Sequence, residues 1–121
     1  MSSHNELGKK GEKIAREYLE KNRYIILEVN WRYHHKEIDI IACNRNTLVI
    51  VEVKTRSGDY FQQPEEAVSL QKQKFLIEAA EAYILENDID LEARLDILSI
   101  VIKNNEVKIR HIENAYYPSI N

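Results

Sequence analysis

The sequence predicts an α/β fold in which a helix, three strands, a second helix and two further strands follow one another in one domain. The length of 121 residues suits a single compact domain. A composition of 44% hydrophobic and 31% charged residues is typical of a folded globular protein. Apolar residues recur with a helical period in two segments and alternate or run together in five short ones, which gives the order αβββαββ.

The first helix is predicted from about residue 4 to residue 21. Ser3-His4-Asn5-Glu6 has the form of a helix capping box, and apolar or small residues then follow at helical spacing. Gly11 and Ala15 form a small-residue edge on this helix. Such an edge allows a helix to approach a sheet closely.

Three strands are predicted next, at residues 24–29, 36–43 and 47–55, because these runs are apolar and rich in β-branched residues. Asn44-Arg45-Asn46 is typical of a hairpin turn between the second strand and the third. A two-residue loop at Arg45-Asn46 places residues whose numbers sum to 91 opposite one another.

This register matches Ile41 with Ile50 and Ile40 with Val51, so apolar residues meet apolar residues. It also places Asp39 opposite Glu52, and Glu37 opposite Lys54. Since side chains alternate across a strand, Ile38 is expected to share a face with Ile40. Apart from these charged residues, both faces of the hairpin are apolar. This pattern indicates a central hairpin covered by a helix on each side.

The second half begins with a predicted loop from Ser57 to Pro64 and a long helix over residues 65–86, within which Ser69 would cap a second segment. Two strands follow at residues 95–102 and 107–112, separated by a turn at Asn104-Asn105. The pattern predicts no role for the tail at residues 116–118.

Several classes of protein are excluded by composition. No apolar run approaches the roughly 20 residues that would span a bilayer, and the polar N-terminus does not resemble a signal peptide. The single Cys43 forms no internal disulfide. A reduced, cytoplasmic protein with no membrane partner fits these features best.

Charge is unevenly distributed along the chain. Residues 1–74 carry 13 lysines and arginines against 11 acids, a net +2, whereas residues 75–121 carry 4 against 9, a net −5. Because a bound metal would offset the acids of the first half, the face that carries them is expected to be more basic than the overall charge of −3 suggests.

The most informative residues are charges placed inside apolar strands: Asp39, Glu52 and Lys54. Opposed carboxylates repel, so Asp39 facing Glu52 predicts a raised pKa or a bound cation. Two carboxylates, with the backbone carbonyl of Val53 as a further ligand, would hold Mg²⁺ or Mn²⁺. Lys54 would orient a water molecule or neutralise charge on a phosphate. The alternative is a structural ion-pair cluster.

Other polar residues are open to two interpretations. Glu37 is expected to be the salt-bridge partner of Lys54, and Glu12 read alone is an ordinary solvated glutamate. Phosphate contacts are assigned to a set of basic residues, each of which could equally be a solvated side chain: Arg32, Lys36, Arg56, Lys72 and Lys74.

A histidine pair, an aromatic pair and one aspartate are the remaining candidates for a functional role. His34-His35 is predicted to be a surface turn, because no further zinc ligand stands at suitable spacing. Tyr60-Phe61 could stack on a base or pack against the helix. Asp96 is expected to pair with Arg94 or another basic neighbour and is not assigned to catalysis.

A family resemblance rests on four motifs: Gly11-Glu12, Glu37-Ile38-Asp39, Val51-Glu52-Val53-Lys54 and the helix-strand order. With them, the chain resembles the PD-(D/E)XK, restriction-endonuclease-like superfamily. More narrowly it resembles the uncharacterised YraN-type family, which is similar to archaeal Holliday junction resolvases. The resemblance runs from Gly8 to about Ile102.

The resemblance implies a restriction-endonuclease-like αβββαβ core, with a central mixed sheet flanked by helices. It also implies Asp39 and Glu52 as metal ligands, Lys54 as the catalytic lysine and Glu12 as an auxiliary acid. The leading hypothesis is therefore a metal-dependent endonuclease that hydrolyses DNA phosphodiesters, with branched or otherwise distorted structures among its candidate substrates. A symmetric homodimer would help such an enzyme reach two strands, but no decisive interface signal is present.

Two alternatives remain on the sequence alone. One is a nucleic-acid-binding module with little turnover. The other is a protein-interaction domain in which the acidic second helix faces a basic partner with Glu78, Glu81, Glu86 and Asp88.

Overall fold

The computed structural model describes residues 5–58 and 68–115. Within these ranges the chain forms two helices and five strands in the predicted order αβββαββ. The elements are α1 (Glu6–Lys21), β1 (Ile25–Tyr33), β2 (Lys36–Asn44), β3 (Thr47–Ser57), α2 (Leu70–Glu86), β4 (Glu92–Lys103) and β5 (Glu106–Ile112).

All five strands join one sheet in the order β1-β2-β3-β4-β5. The β3–β4 pair is parallel, and the other three pairs are antiparallel. The parallel pair requires a crossover connection, and α2 lies in that connection. The α/β class and the mixed sheet are thus confirmed.

Two apolar cores cover the two faces of the sheet. On one face, Ala15 and Leu19 of α1 pack with Ile40, Val51 and Leu98, all fully buried. On the other face, α2 supplies a second set of buried residues, Leu76, Ala79, Ala80 and Tyr83, against Ile38, Ile41 and Ile50. The predicted helix on each side of a central hairpin is therefore confirmed.

The predicted register of the central hairpin is confirmed where the ladder forms. Pairing runs from Asn44–Thr47 to Ile40–Val51, in the register that the two-residue turn at Arg45-Asn46 imposes. Arg45 adopts a φ of 58° in this turn.

The prediction that Ile38 shares a face with Ile40 was wrong. Ile38 packs on the α2 side with Ile41, whereas Ile40 packs on the α1 side. On the neighbouring strand, Asn30 lies between the Val29–Ile40 and Trp31–Ile38 pairs and has a φ of 53°, which marks an irregular backbone. The regular alternation of β2 is therefore interrupted at Asp39.

Several predicted boundaries need correction at the helices. The N-cap of α1 is Asn5, whose side chain accepts a hydrogen bond from the Gly8 N–H at 2.7 Å, so the helix begins at Glu6 and not at about residue 4. The segment that Ser69 was predicted to cap is α2, which begins at Leu70; residues 65–67 of the predicted helix lie outside the described residues. Tyr60-Phe61 and the tail at 116–118 lie outside the described residues.

The strands are longer than their sequence patterns. β1 continues to Tyr33, because pairing with β2 extends through Trp31–Ile38 to Tyr33–Lys36. His34-His35 then forms the turn between β1 and β2, as predicted. β3 and β4 pair in parallel over their whole common length, which extends both strands beyond their apolar segments.

The close approach predicted for α1 is present at Gly11. A Cβ built on this glycine would lie 2.7 Å from Cγ2 and 2.8 Å from Cβ of Thr55, with Oγ1 closer still. The absence of a side chain at Gly11 therefore lets α1 lie directly against β3. No helix in the described part of the chain is long and apolar enough to cross a membrane.

Candidate active site

A cleft of about 540 Å³ lies where α1 and α2 approach β2 and β3. Each of these four elements contributes to its lining. The principal lining residues are Gly8, Glu12, Lys36, Glu37, Asp39, Glu52, Val53, Lys54, Thr55, Arg56 and Lys72. The structure thus brings into one cleft the carboxylates and the lysine that were predicted from the sequence to form a site.

Asp39 is 9% exposed at the point where the alternation of β2 breaks. Its Oδ2 accepts a hydrogen bond from the Val53 N–H at 2.8 Å, which directs the carboxylate toward β3. Burial raises the pKa of Asp39 to about 7, and the charges of Glu52 and Glu12 act in the same direction. The Val53 hydrogen bond and the charge of Lys72 oppose this rise.

Glu52 is 6% exposed, and its two oxygens have different surroundings. Oε2 lies 3.5 Å from the Lys54 Nζ and 3.7 Å from the Lys72 Nζ. Oε1 is buried and has no hydrogen-bond partner in the described part of the molecule. Since a buried acceptor without a partner costs about 1–3 kcal/mol, a hydrogen bond or a bound cation at Oε1 would stabilise the protein.

The salt bridges differ from the predicted pairing of Glu37 with Lys54. The β2–β3 ladder ends at Ile40–Val51 and does not reach those two residues. An ion pair joins Glu37 to Arg32 across β1 and β2, with nitrogen and oxygen 3.6 Å apart. Lys54 instead lies beside Glu52, where its charge can act on the same ligand as the carboxylate.

The remaining predicted residues are placed as follows. Glu12 and Val53 line the cleft, as do Lys36, Arg56 and Lys72 among the predicted phosphate contacts. Arg32 reaches the cleft only through its pair with Glu37. Lys74 is exposed on α2 and is not part of the lining.

The donors fit a hard divalent cation with an incomplete protein shell. Within residues 5–58 and 68–115, no three or more His, Cys, Asp or Glu residues are arranged to hold a metal ion. Mg²⁺ commonly uses only one or two carboxylates and completes its octahedron with water and substrate phosphates. Asp39 and Glu52 match this requirement, because they repel each other and Oε1 of Glu52 has no partner in the part of the chain that the structure describes.

Sequence reasoning missed the contact of Lys72 with Glu52. Lys72 stands in the first turn of α2, far from Glu52 in sequence, and the crossover between β3 and β4 brings it back over the sheet. The sequence did indicate that Lys72 lies on the same face of the helix as Phe75, since residues three apart share one face of a helix.

Asp96 belongs to a separate network and not to the cleft. It is fully buried and accepts two hydrogen bonds from Arg94, at 2.9 and 3.0 Å, one from the Asn114 N–H, and lies 2.7 Å from His111 Nε2. The predicted pairing with Arg94 is confirmed. These partners hold the pKa of Asp96 below its usual value despite burial.

Taken together, the architecture is that of an α/β protein whose sheet and helix order are consistent with a restriction-endonuclease-like core. Its most distinctive feature is a buried pair of carboxylates beside a lysine in the cleft between the helices. The chain belongs to the uncharacterised protein family UPF0102, whose model matches residues 11–100. This result confirms the resemblance to the YraN-type family.

Relatives match along nearly the whole chain. The protein is 50% identical over 120 residues to a UPF0102 protein of Bacteroides thetaiotaomicron, an alignment covering 99% of both chains. It is 48% identical over 117 residues to one of Flavobacterium psychrophilum, covering 97% of this chain and 98% of the relative. A third, from Parabacteroides distasonis, is 44% identical over 117 residues, or 97% of each chain.

Proposed function

We propose that this protein is a metal-dependent endonuclease that hydrolyses DNA phosphodiesters, with branched or distorted DNA as its preferred substrate. The observation that carries the proposal is the buried Oε1 of Glu52, which has no partner within residues 5–58 and 68–115, together with the nearby Asp39 carboxylate. A purely structural ion pair would be expected to satisfy both oxygens. Here one oxygen of a carboxylate that lines the cleft has no hydrogen-bond partner among the described residues.

Asp39, Glu52 and the backbone carbonyl of Val53 would hold Mg²⁺ or Mn²⁺. When bound, such a cation supplies Lewis acidity toward a phosphodiester oxygen and a water molecule. The Val53 N–H holds the Asp39 carboxylate in place, so that it is oriented before a ligand enters. Occupation of the site would also relieve the repulsion between the two carboxylates.

Lys54 and Glu12 complete the proposed catalytic group. The Lys54 ammonium lies at the cleft, where it can orient an attacking water or neutralise charge that develops on the phosphate. Glu12 reaches the cleft from α1 and would accept a proton from that water or hold it by a hydrogen bond.

The cleft is also lined by positively charged side chains that can contact the phosphates of a DNA backbone. Lys36, Arg56 and Lys72 line it together with Lys54. Contacts of this kind fix the position of a nucleic acid strand but do not read its sequence. We therefore expect binding to weaken steeply with salt, because each phosphate contact releases condensed counterions.

The direct test is a cleavage assay with the full chain and end-labelled DNA. Single-stranded, duplex, flapped and four-way substrates of matched sequence would be incubated with Mg²⁺, with Mn²⁺ or with EDTA. We expect products that require a divalent cation, with the greatest yield from branched or flapped DNA. Absence of cleavage of every substrate, at low salt and with a folded protein, would contradict the proposal.

One observation favours a second candidate, a DNA-binding module with no turnover. Both Lys54 and Lys72 already lie beside Oε2 of Glu52, so the cluster is partly neutralised without a cation. Salt-dependent DNA binding by the parent protein, without cleavage under any condition, would select this candidate.

A further inference from the structure

A row of aromatic side chains lies on the α2 side of the sheet and leads toward the cleft. The Trp31 and Tyr33 rings are nearly parallel, with an interplanar angle of 14° and centroids 6.1 Å apart. Tyr33 in turn contacts His34, at 4.2 Å between centroids, and Phe75 of α2, at 5.8 Å. The row therefore joins the β1–β2 turn to the first turns of α2.

Two lysines connect this row to the candidate active site. The Nζ atoms of Lys36 and Lys72 lie 5.4 and 6.0 Å from the centroid of the Phe75 ring. Both lysines also line the cleft, and Lys72 lies 3.7 Å from Glu52. A ligand that touches these two ammonium groups is therefore adjacent both to the carboxylates and to the aromatic rings.

The outer end of the row is accessible. His34 is exposed in the turn and Tyr33 is half-buried, while the inner side of the row packs on the core through Trp31, whose ring meets Tyr83 edge to face at 5.1 Å. The inner rings thus fix the orientation of the outer ones. Packing alone does not account for two cations placed over one ring at the rim of a cleft.

We propose that Tyr33 and His34, whose rings meet at a tilt of 55°, form a stacking platform in which an unpaired DNA base lies against the outer ring, while Lys36 and Lys72 contact the phosphates of the same strand. The proposal rests on the proposed function, since the strand on the platform is the one whose backbone enters the cleft. A nucleotide matches the surface because its base offers a flat π face and its backbone offers negative charge. The aromatic rings complement the π face of the base, and the lysines between them complement the negative charge of the backbone.

This arrangement specifies the substrate class. A base within an intact duplex is stacked and paired on its own strand, and releasing it costs a few kcal/mol. A base in a single strand, a flap or a junction arm is available without that cost. We therefore expect a preference for DNA that has an unpaired nucleotide next to the backbone bound in the cleft.

The test measures binding without cleavage, in EDTA, with the full chain. The probes are a labelled single strand, a duplex with a single-stranded flap, and a blunt duplex. Each carries 2-aminopurine at the same sequence position, which is unpaired in the first two and paired in the third, to report stacking. We expect the unpaired probes to bind about 5- to 150-fold more tightly than the blunt duplex, as the contribution of one stacked base implies. The 2-aminopurine fluorescence should change only with the unpaired probes.

The turn offers a matched pair of variants. His34 has a φ of 58°, so His34→Asn keeps a residue that tolerates this conformation while removing the ring. His35→Asn alters the neighbouring exposed position of the same turn and serves as its control. Tyr33→Leu removes the second outer ring and keeps an apolar contact with the core.

The double variant Tyr33→Leu/His34→Asn should bind the unpaired probes no more tightly than the duplex, and His35→Asn should behave as the parent protein. Lys36→Gln should weaken all probes similarly and reduce the salt slope by about 1. Equal affinity of the parent for unpaired and duplex DNA would overturn the platform and leave the cleavage proposal standing. Failure to bind DNA of any form would overturn both.

Discussion

Glu52→Gln is expected to lower DNA cleavage at least about 100-fold while the protein remains folded. Loss of a group that hydrogen-bonds a metal ligand typically lowers metal affinity or activity about 10- to 100-fold. Loss of the ligand itself should lower them at least as much. The substitution keeps the size of the side chain but removes the charge on which a divalent cation depends. Asp39→Asn should behave similarly, because the amide can still accept the Val53 hydrogen bond yet no longer supplies a negative oxygen.

Lys54→Ala should lower cleavage by about 100- to 10,000-fold without abolishing cation binding, since Lys54 is assigned to the water and the phosphate and not to the metal. Lys54→Arg, which keeps the charge, should recover part of the activity. The control is Glu78→Gln, which neutralises an exposed acid on α2. Activity that survives in Asp39→Asn and Glu52→Gln would place the chemistry elsewhere.

The metal-free protein is expected to lose stability as the pH rises from about 4 to about 7. Asp39 has a pKa of about 7 in the folded protein and 3.8 as its ordinary value, so within this interval the folded state retains a proton that the unfolded state releases. The free energy of unfolding therefore falls with rising pH and becomes level above about pH 7. The expected loss is about 2–4 kcal/mol, at up to 1.4 kcal/mol for each pH unit.

Asp96 affects stability in the opposite direction but in a different pH range. Its pKa is lowered by His111, Arg94 and Asn114, so its stabilising contribution is complete above its ordinary value and is lost only at more acidic pH. The contribution of Asp96 is therefore constant between pH 5 and pH 8, and the difference between the parent and Asp39→Asn in this interval isolates Asp39. Thermal or urea unfolding in EDTA across this interval measures the effect.

Asp39→Asn should flatten that pH profile and make the metal-free protein more stable than the parent at pH 8. Asp90→Asn changes an exposed acid and should leave the profile as it is. Addition of Mg²⁺ should stabilise the parent more at pH 8 than at pH 5, because the cation and the proton compete for the same carboxylates. An identical slope in the parent and in Asp39→Asn would refute the assignment of a raised pKa to Asp39.

Much of the fold could be predicted from local patterns. The turn at Arg45-Asn46 and the apolar pairs Ile41–Ile50 and Ile40–Val51 were sufficient to set the hairpin register, because a slip of one residue would expose the core. Strand lengths were underestimated, since the ends of β3 and β4 are polar and are held in the sheet by parallel pairing.

The candidate site was only partly predictable. Asp39, Glu52 and Lys54 stand out because charge is rare in buried strands, but their geometry depends on the interruption of β2 at Asp39. That interruption arises with Asn30 on the adjacent strand, and no local pattern announces it. The approach of Lys72 to Glu52 and the row formed by Tyr33 and Phe75 are tertiary contacts between distant segments.

The central claim is that Asp39 and Glu52 together hold a divalent cation, and titration of the full chain with Mn²⁺ tests it most directly. Paramagnetic resonance of free Mn²⁺, or calorimetry, gives the affinity and the stoichiometry at pH 8. We expect one Mn²⁺ per chain, competed by Mg²⁺, with affinity at least about 10-fold weaker in Glu52→Gln and in Asp39→Asn but unchanged in Glu78→Gln. Binding that is equally tight in the two cleft variants, or no binding by the folded parent at millimolar Mn²⁺, would contradict it.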